Sequence, residues 1–369
     1  MSSVASRAGL VYLGMDTSKD TIVVAILGEG EQSPVTERIA NEEAAVRQLV
    51  RRLGDPSRLR ACYEAGPGGF ELYRLLTSLG VQTVVVAPSL VPKGGSDKVK
   101  TDKRDAVRLA RMLRAGELVP VRVPKPAEEA VRDLVRTRTA LLADRKRAQQ
   151  RLTAVLMRNG RTWRGGSYWT GAHRAWIAGQ EFAEPALACA VGFHRAALAT
   201  RETELAAAES ELLPWASREP LAVPVARLGC YRGIAELGGL TLVAEVVDWH
   251  RFGAARAFMS YTGLVPSEYS SGDRTQRGRI TKAGSEPVRT TLTEAAWAYQ
   301  HAPAIGVTLR RRQAGADPQT LARSWKAQRR LHGKYMHLLH HGKTPPQAVT
   351  AVARELAGFV WAEMTAPRC

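Results

Sequence analysis

Val11-Tyr12-Leu13-Gly14-Met15-Asp16-Thr17-Ser18-Lys19-Asp20-Thr21-Ile22-Val23-Val24-Ala25-Ile26-Leu27 reads as two apolar strands, 11–15 and 21–27, joined by the polar turn Asp16-Thr17-Ser18-Lys19-Asp20. The β-branched density of the second run fits a strand. Working outward, Ala44, Ala45, Leu49, Val50 and Leu53 recur at helical spacing, predicting a helix over 41–53 with Asn41 as its cap. A strand near 59–63, a helix over 70–79 and a strand over 81–86 follow. A Pro-, Gly- and Lys-rich loop, 88–100, leads into a further helix from Asp102. Strands interleaved with helices in this way predict an α/β or α+β domain ending near Gly116.

Four acids punctuate that domain. Asp16 ends the first strand, Glu64 ends the strand of Arg60-Ala61-Cys62-Tyr63-Glu64-Ala65-Gly66, and Asp102 and Asp105 open the helix of Lys100-Thr101-Asp102-Lys103-Arg104-Asp105-Ala106. Residues three apart on a helix project from one side, so Asp102 and Asp105 can converge on one ion. With two strand-end acids they would form an oxygen cage suited to Mg²⁺, which binds phosphate oxygens and keeps waters. Four uncompensated carboxylates would repel one another, and a metal removes that penalty. The plainer reading treats each as a surface group, and Asp102 as a helix cap.

Beyond 127 the pattern changes to a long amphipathic helix to about 157, with Val131, Leu134, Val135, Leu141, Leu142, Ala148, Leu152 and Val155 on one stripe. A Gly-, Arg- and Trp-rich stretch, 159–176, separates it from a second helix over 185–213. The pair reads as a helical hairpin, an intersubunit coiled coil or part of a monomeric bundle. From about 223 the chain is compact again. An apolar helical segment over 234–248 is expected to break at Gly238-Gly239, and a short helix spans 255–262. A loop or hairpin follows over 263–284, then helices near 286–299, 318–339 and 346–364. The expected architecture is α/β plus α, divided at 1–118, 119–222 and 223–369.

The 369 residues carry 53 Lys plus Arg against 35 Asp plus Glu, a net charge of +18. That excess points to a polyanionic partner, most plausibly nucleic acid. Four scattered cysteines show no zinc-ligand spacing. No apolar run is long enough for a membrane span, and no signal-peptide pattern opens the chain. The expectation is a cytoplasmic protein with no membrane partner.

The stretch 263–284 contains Ser270-Ser271-Gly272-Asp273 followed by Arg274, Arg277, Arg279 and Lys282. Those four cations offer donors for phosphate oxygens. A serine hydroxyl is a weak nucleophile without a base, a metal or an electrostatic clamp, and no histidine lies in the segment. Alone, the stretch reads as a phosphate-binding loop. Arg132, Arg136, Arg138, Arg145, Lys146, Arg147 and Arg151 either track a nucleic-acid backbone or form a solvated helix side. Trp163, Trp169 and Trp176 either stack on unpaired bases or pack the hairpin tip.

In these motifs the chain resembles the insertion-sequence one-ten family of transposases, the DEDD recombinases. The resemblance lies in residues 12–19, Tyr63-Glu64-Ala65-Gly66, Thr101-Asp102-Lys103-Arg104-Asp105-Ala106, Arg232-Gly233-Ile234, Leu240-Thr241-Leu242-Val243-Ala244-Glu245, the run 263–284 and Glu294-Ala295-Ala296-Trp297. It covers both end domains in the family's order. The resemblance implies a RNase H-like (RuvC-like) first domain, a long helical, coiled-coil-like middle and a mainly helical, serine-bearing last domain. It implies Asp16, Glu64, Asp102 and Asp105 as catalytic Mg²⁺ ligands. It further implies that a serine, Ser271 by position with Ser270 adjacent, attacks DNA and forms a phosphoserine link. The partners it implies are donor and target double-stranded DNA, a structured bridge RNA encoded outside the gene, and further copies of the chain as a dimer or tetramer. The competing readings are a RuvC-like nuclease that forms no covalent intermediate and a non-catalytic nucleic-acid-binding protein.

Overall fold

The computed structural model describes residues 9–88, 101–271 and 274–367, with the side chains of 269–271 and 274–277 outside the description. Most of the expected 88–100 loop therefore lies outside the described residues. The chain divides into two compact units, Met1–Pro124 and Lys125–Cys369.

The first unit is built on a five-stranded mixed sheet. Its strands are β1 (Val11–Thr17), β2 (Thr21–Gly28), β3 (Val35–Ala40), β4 (Leu59–Glu64) and β5 (Gln82–Val86), in the order β3-β2-β1-β4-β5. β1, β2 and β3 run antiparallel in sequence, whereas β4 is parallel to β1 and β5 to β4. Alternation along β1 sends Val11, Leu13 and Met15 to one side, where Val46, Leu49, Val50 and Leu53 of α1 (Glu43–Leu53) and Leu76 of α2 (Glu71–Ser78) cover them. The opposite side receives α3 (Asp102–Ala115), whose Ala106 and Ala110 pack on Val23, Ala25 and Leu27. Gly14 makes that contact possible, because a Cβ there would stand 2.2 Å from the Ala106 carbonyl oxygen and 2.3 Å from the Ala110 nitrogen.

Several sequence expectations change here. β3 was not foreseen, because the three consecutive polar residues Thr36-Glu37-Arg38 break any apolar alternation and the strand is largely open to solvent, as an edge strand tolerates. Asn41 does not cap α1. Its amide donates to the carbonyls of Ser18 (2.8 Å) and Lys19 (3.4 Å), tying down the β1–β2 turn. Thr101, not Asp102, caps α3, accepting from the Arg104 N–H. Gly116 ends that helix in the left-handed region.

The second unit is helical apart from one hairpin. The helix α4 (Pro126–Arg158) runs antiparallel to α6 (Pro185–Leu212), joined through the short α5 (Gly171–Ala178), which the sequence reading missed. Leu152, Val155 and Leu156 meet Ile177, Val191 and Leu198 at the tip, and Arg138 pairs with Glu209 at 2.6 Å nearer the base. The remaining elements are α7 (Ala222–Gly229), α8 (Glu236–Val246), α9 (Ala255–Tyr261), the strands β6 (Pro266–Ser271) and β7 (Arg274–Ile280), α10 (Glu286–Ala296), α11 (Val307–Gln313), α12 (Pro318–His340) and α13 (Pro345–Thr365). Gly238 and Gly239 do not break α8. At Gly239 a Cβ would lie 3.3 Å from both Cγ1 and the carbonyl oxygen of Val225, so the small residue lets α7 approach closely. Among the described residues, no helix is long and apolar enough to cross a membrane.

Candidate active site

The sheet register determines where the acids stand. Met15 pairs with Tyr63 across the parallel β1–β4 step, so Asp16 and Glu64 are the next residues out on the two central strands. Asp16 also pairs with Val23, Val23 with Arg38, and Glu64 with Val86. Arg38, Val23, Asp16, Glu64 and Val86 thus form one row across the sheet, and side-chain alternation turns it toward α3. The N-terminal end of α3 meets the same row.

Asp105 is buried at 9 % exposure on the first turn of α3. Its Oδ1 accepts a hydrogen bond from Arg108 Nη2 at 2.9 Å, and the same nitrogen lies 3.8 Å from Glu64 Oε1. One guanidinium therefore serves two of the four expected acids. Asp16 is half-buried at the adjacent strand end. Asp102 parts from Asp105: its carboxylate is exposed and lies 3.7 Å from Arg38. In this arrangement no three His, Cys, Asp or Glu side chains among the described residues are placed to hold an ion together. The donor chemistry nevertheless suits a hard cation: all are carboxylate oxygens, and Glu64 and Asp105 already share a positive charge. Arg108 was not foreseen, although its i,i+3 relation to Asp105 was a readable signal. Below the row, Cys62 contacts the Leu109 carbonyl through Sγ at 3.5 Å, and burial pushes its thiol up to about 12, so it is an inert packing group.

The second constellation lies in the other unit. β6 and β7 pair antiparallel, with Ser270 opposite Thr275 and Ser271 opposite Arg274, so the backbone puts Ser271 at the hairpin end. Gly272 and Asp273 lie outside the described residues, as do the side chains of Ser270, Ser271, Arg274 and Arg277. Arg279 and Lys282 are exposed on the returning strand and just beyond it. The hairpin foot is held firmly. Gly284 has φ 69°, and a Cβ there would meet the Tyr261 carbonyl oxygen at 1.8 Å. Arg289 donates to the carbonyls of Thr262, Lys282 and Ala283, each at 3.2 Å.

Beside that foot, buried Glu245 of α8 accepts from Arg136 Nε at 2.7 Å and Nη2 at 3.2 Å, and from Ser285 Oγ at 3.0 Å. Hydrogen bonding to Glu245 raises the Arg136 pKa against the opposing effect of burial. The carboxylate joins α4, α8 and the cap of α10, a role invisible in the sequence. Arg136 and Arg138 of the basic stripe thus brace the helices internally. Trp163, Trp169 and Trp176 pack around buried His173, with ring centroids 5.4, 5.1 and 5.8 Å away. His173 Nδ1 accepts from the Trp169 N–H at 2.8 Å, and burial lowers its pKa. These rings are a small core at the hairpin tip.

Comparison with known proteins gives the family. Residues 13–159 match a DEDD transposase family model described as "Transposase", and residues 226–324 match the "Transposase IS116/IS110/IS902 family". The chain is 40% identical over 355 residues to "Putative transposase y4qE" of Sinorhizobium fredii, covering 95% of this chain and 87% of that protein. It is 31% identical over 333 residues to "Transposase for insertion sequence element IS1533" of Leptospira borgpetersenii, covering 89% and 96%. With both halves of the family signature in order and near full-length similarity, the chain belongs to the IS110 (insertion-sequence one-ten) family and is a DNA transposase.

Proposed function

We propose that this transposase moves DNA by serine attack assisted by a divalent metal, Mg²⁺. The first unit is read as RNase H-like (RuvC-like), in keeping with its strand order and with α3 packed over the central strands. Residues 1–118, 119–222 and 223–369 are read as the acidic domain, the helical middle and the serine-bearing domain. The observation that carries the metal reading is the sharing of one cation by Glu64 and Asp105 beside the strand-end Asp16. Asp16, Glu64, Asp102 and Asp105 would hold the ion, with Asp102 turning in from Arg38. Bound there, it would supply charge stabilisation for the phosphate under attack.

The chain's own residues do the rest. Ser271 Oγ forms a bond to phosphorus as the bond from phosphorus to a deoxyribose oxygen breaks. The serine proton passes to water, and the leaving oxygen takes one up. Arg274, Arg277, Arg279 and Lys282 clamp the non-bridging oxygens. A sugar hydroxyl from the other DNA then displaces Ser271, so strands are rejoined without an external energy source. Donor and target duplexes are the substrates, a structured bridge RNA pairs with both, and a dimer or tetramer assembles the machinery on DNA in the bacterial cytoplasm.

The test is a denaturing gel for a protein–DNA adduct. The adduct should vanish in Ser271→Ala and survive in Ser267→Ala and Ser270→Ala. Cleavage with no adduct in any of them would replace the serine mechanism with hydrolysis by water. RNA extracted from the purified protein should contain one discrete structured species, and heterogeneous RNA would remove the guide from the reading.

A further inference from the structure

We propose that Arg108 is an exchangeable counter-ion of the acidic row, and that metal binding proceeds by its displacement. This deepens the metal reading above and rests on it. Three observations converge. Arg108 Nη2 touches Asp105 Oδ1 at 2.9 Å and lies 3.8 Å from Glu64 Oε1, so the guanidinium stands where a cation shared by those carboxylates would stand. Its side chain starts one turn after Asp105 and keeps 24 % exposure, so it borders solvent on a long, flexible stem that gives the head a route outward. The backbone beneath cannot follow, because α3 is locked against β1 at Gly14, where even one Cβ would collide with the Ala106 and Ala110 backbone.

A fixed backbone, paired carboxylates and a cation on a flexible stem make an exchange site. Without a counter-ion, Asp105 and Glu64 would repel each other in a half-buried setting. With Arg108 in place their mutual repulsion is offset and they are kept together, and among the described residues no three carboxylates stand close enough to hold an ion. An ion taking Glu64 and Asp105 must first break a charge-assisted hydrogen bond. Its apparent affinity is therefore reduced by the fraction of molecules in which Arg108 holds the position. Arg108 acts through the carboxylates and is a positioning residue rather than a catalytic one.

The test is Mn²⁺ and Mg²⁺ titration of the full-length protein by calorimetry, with melting temperature recorded with and without metal. Arg108→Gln should bind the ion about tenfold more tightly than wild type, an occupancy effect. It should also melt lower without metal and gain more from metal addition. Arg108→Lys, which keeps a charge on a flexible stem, should return toward wild-type affinity. Arg111→Gln removes an equal charge from an exposed place on the same helix. It should change affinity less than about twofold, since exposed charges act weakly. Equal tightening in Arg111→Gln and Arg108→Gln would overturn displacement in favour of general charge. Unchanged or weakened binding in Arg108→Gln, with binding lost in Asp105→Asn, would overturn the proposal but leave the metal site standing. No binding by the wild type would overturn both.

Discussion

A lone buried carboxylate and the acidic row of the first unit receive opposite treatment. Glu363, near the end of α13, is fully buried, and its oxygens accept from Arg227 at 2.8 Å, Thr320 at 2.7 Å, Arg323 at 2.6 and 3.2 Å and Tyr231 at 3.1 Å. Burial alone would push its carboxyl up, but the Arg323, Thr320 and Arg227 hydrogen bonds and charge hold it below the ordinary value. The acidic row of the first unit is less enclosed, running from buried Asp105 to exposed Asp102, and Glu64 and Asp105 share the single guanidinium of Arg108. The difference separates a structural acid from a candidate metal ligand. A saturated donor shell fixes three helices and leaves no lone pair for chemistry. On the proposed reading, an acid served by an exchangeable cation remains available to a metal.

Four experiments would break or sharpen that contrast. The largest effect belongs to Asp105→Asn, which should lower strand cleavage by about a thousandfold, the loss of several kcal/mol of charge stabilisation. DNA binding measured by gel shift should persist. Cleavage within a factor of a few of wild type would remove Asp105 from the chemistry. Next, Glu363→Gln should destabilise the second unit by about 3–5 kcal/mol, because Arg227 and Arg323 lose a buried partner. Urea denaturation gives the number, and an unchanged midpoint would show that the network is dispensable.

The pH dependence follows from the same carboxyl. Its folded pKa lies below the ordinary glutamate value of 4.5, so the stabilisation is present above 4.5 and is lost as pH falls through the lower folded value. Acid titration followed by circular dichroism should show wild type losing stability in that window, with Glu363→Gln showing a flatter profile there. The smallest effect is expected at the exposed Asp102–Arg38 pair. Arg38→Ala should change stability by less than about 1 kcal/mol. A larger loss would mean that Asp102 is held as firmly as Glu363.

Much of the first unit was legible because its strands are uninterrupted apolar runs and its helices keep a clean stripe. What escaped was whatever lacked a hydrophobic signature. β3 carries Glu37 and Arg38 on an edge, and α5, α7 and α11, at seven or eight residues, bury only two, three and one residue each, too few to draw an apolar stripe. Gly238-Gly239 reads as a breaker because sequence rules price glycine by backbone entropy, whereas here close packing on Val225 outweighs that cost. Glu245 was visible as part of a motif, but its link to Arg136 spans 109 positions. No local pattern reports such a distance.

The sequence by itself determined the family and the kinds of chemistry available: four acids, a Ser-Gly step and a basic excess are matters of residue identity and order. The tertiary structure decided which acids are neighbours. Parallel pairing of β1 with β4 brings Asp16 beside Glu64, and the contact of α3 with Gly14 delivers Asp105 and Arg108 to the same row. Charge–charge interaction falls with distance and rises with burial. Whether a carboxylate becomes a brace like Glu363 or a ligand candidate like Asp105 therefore depends on what the fold places against it.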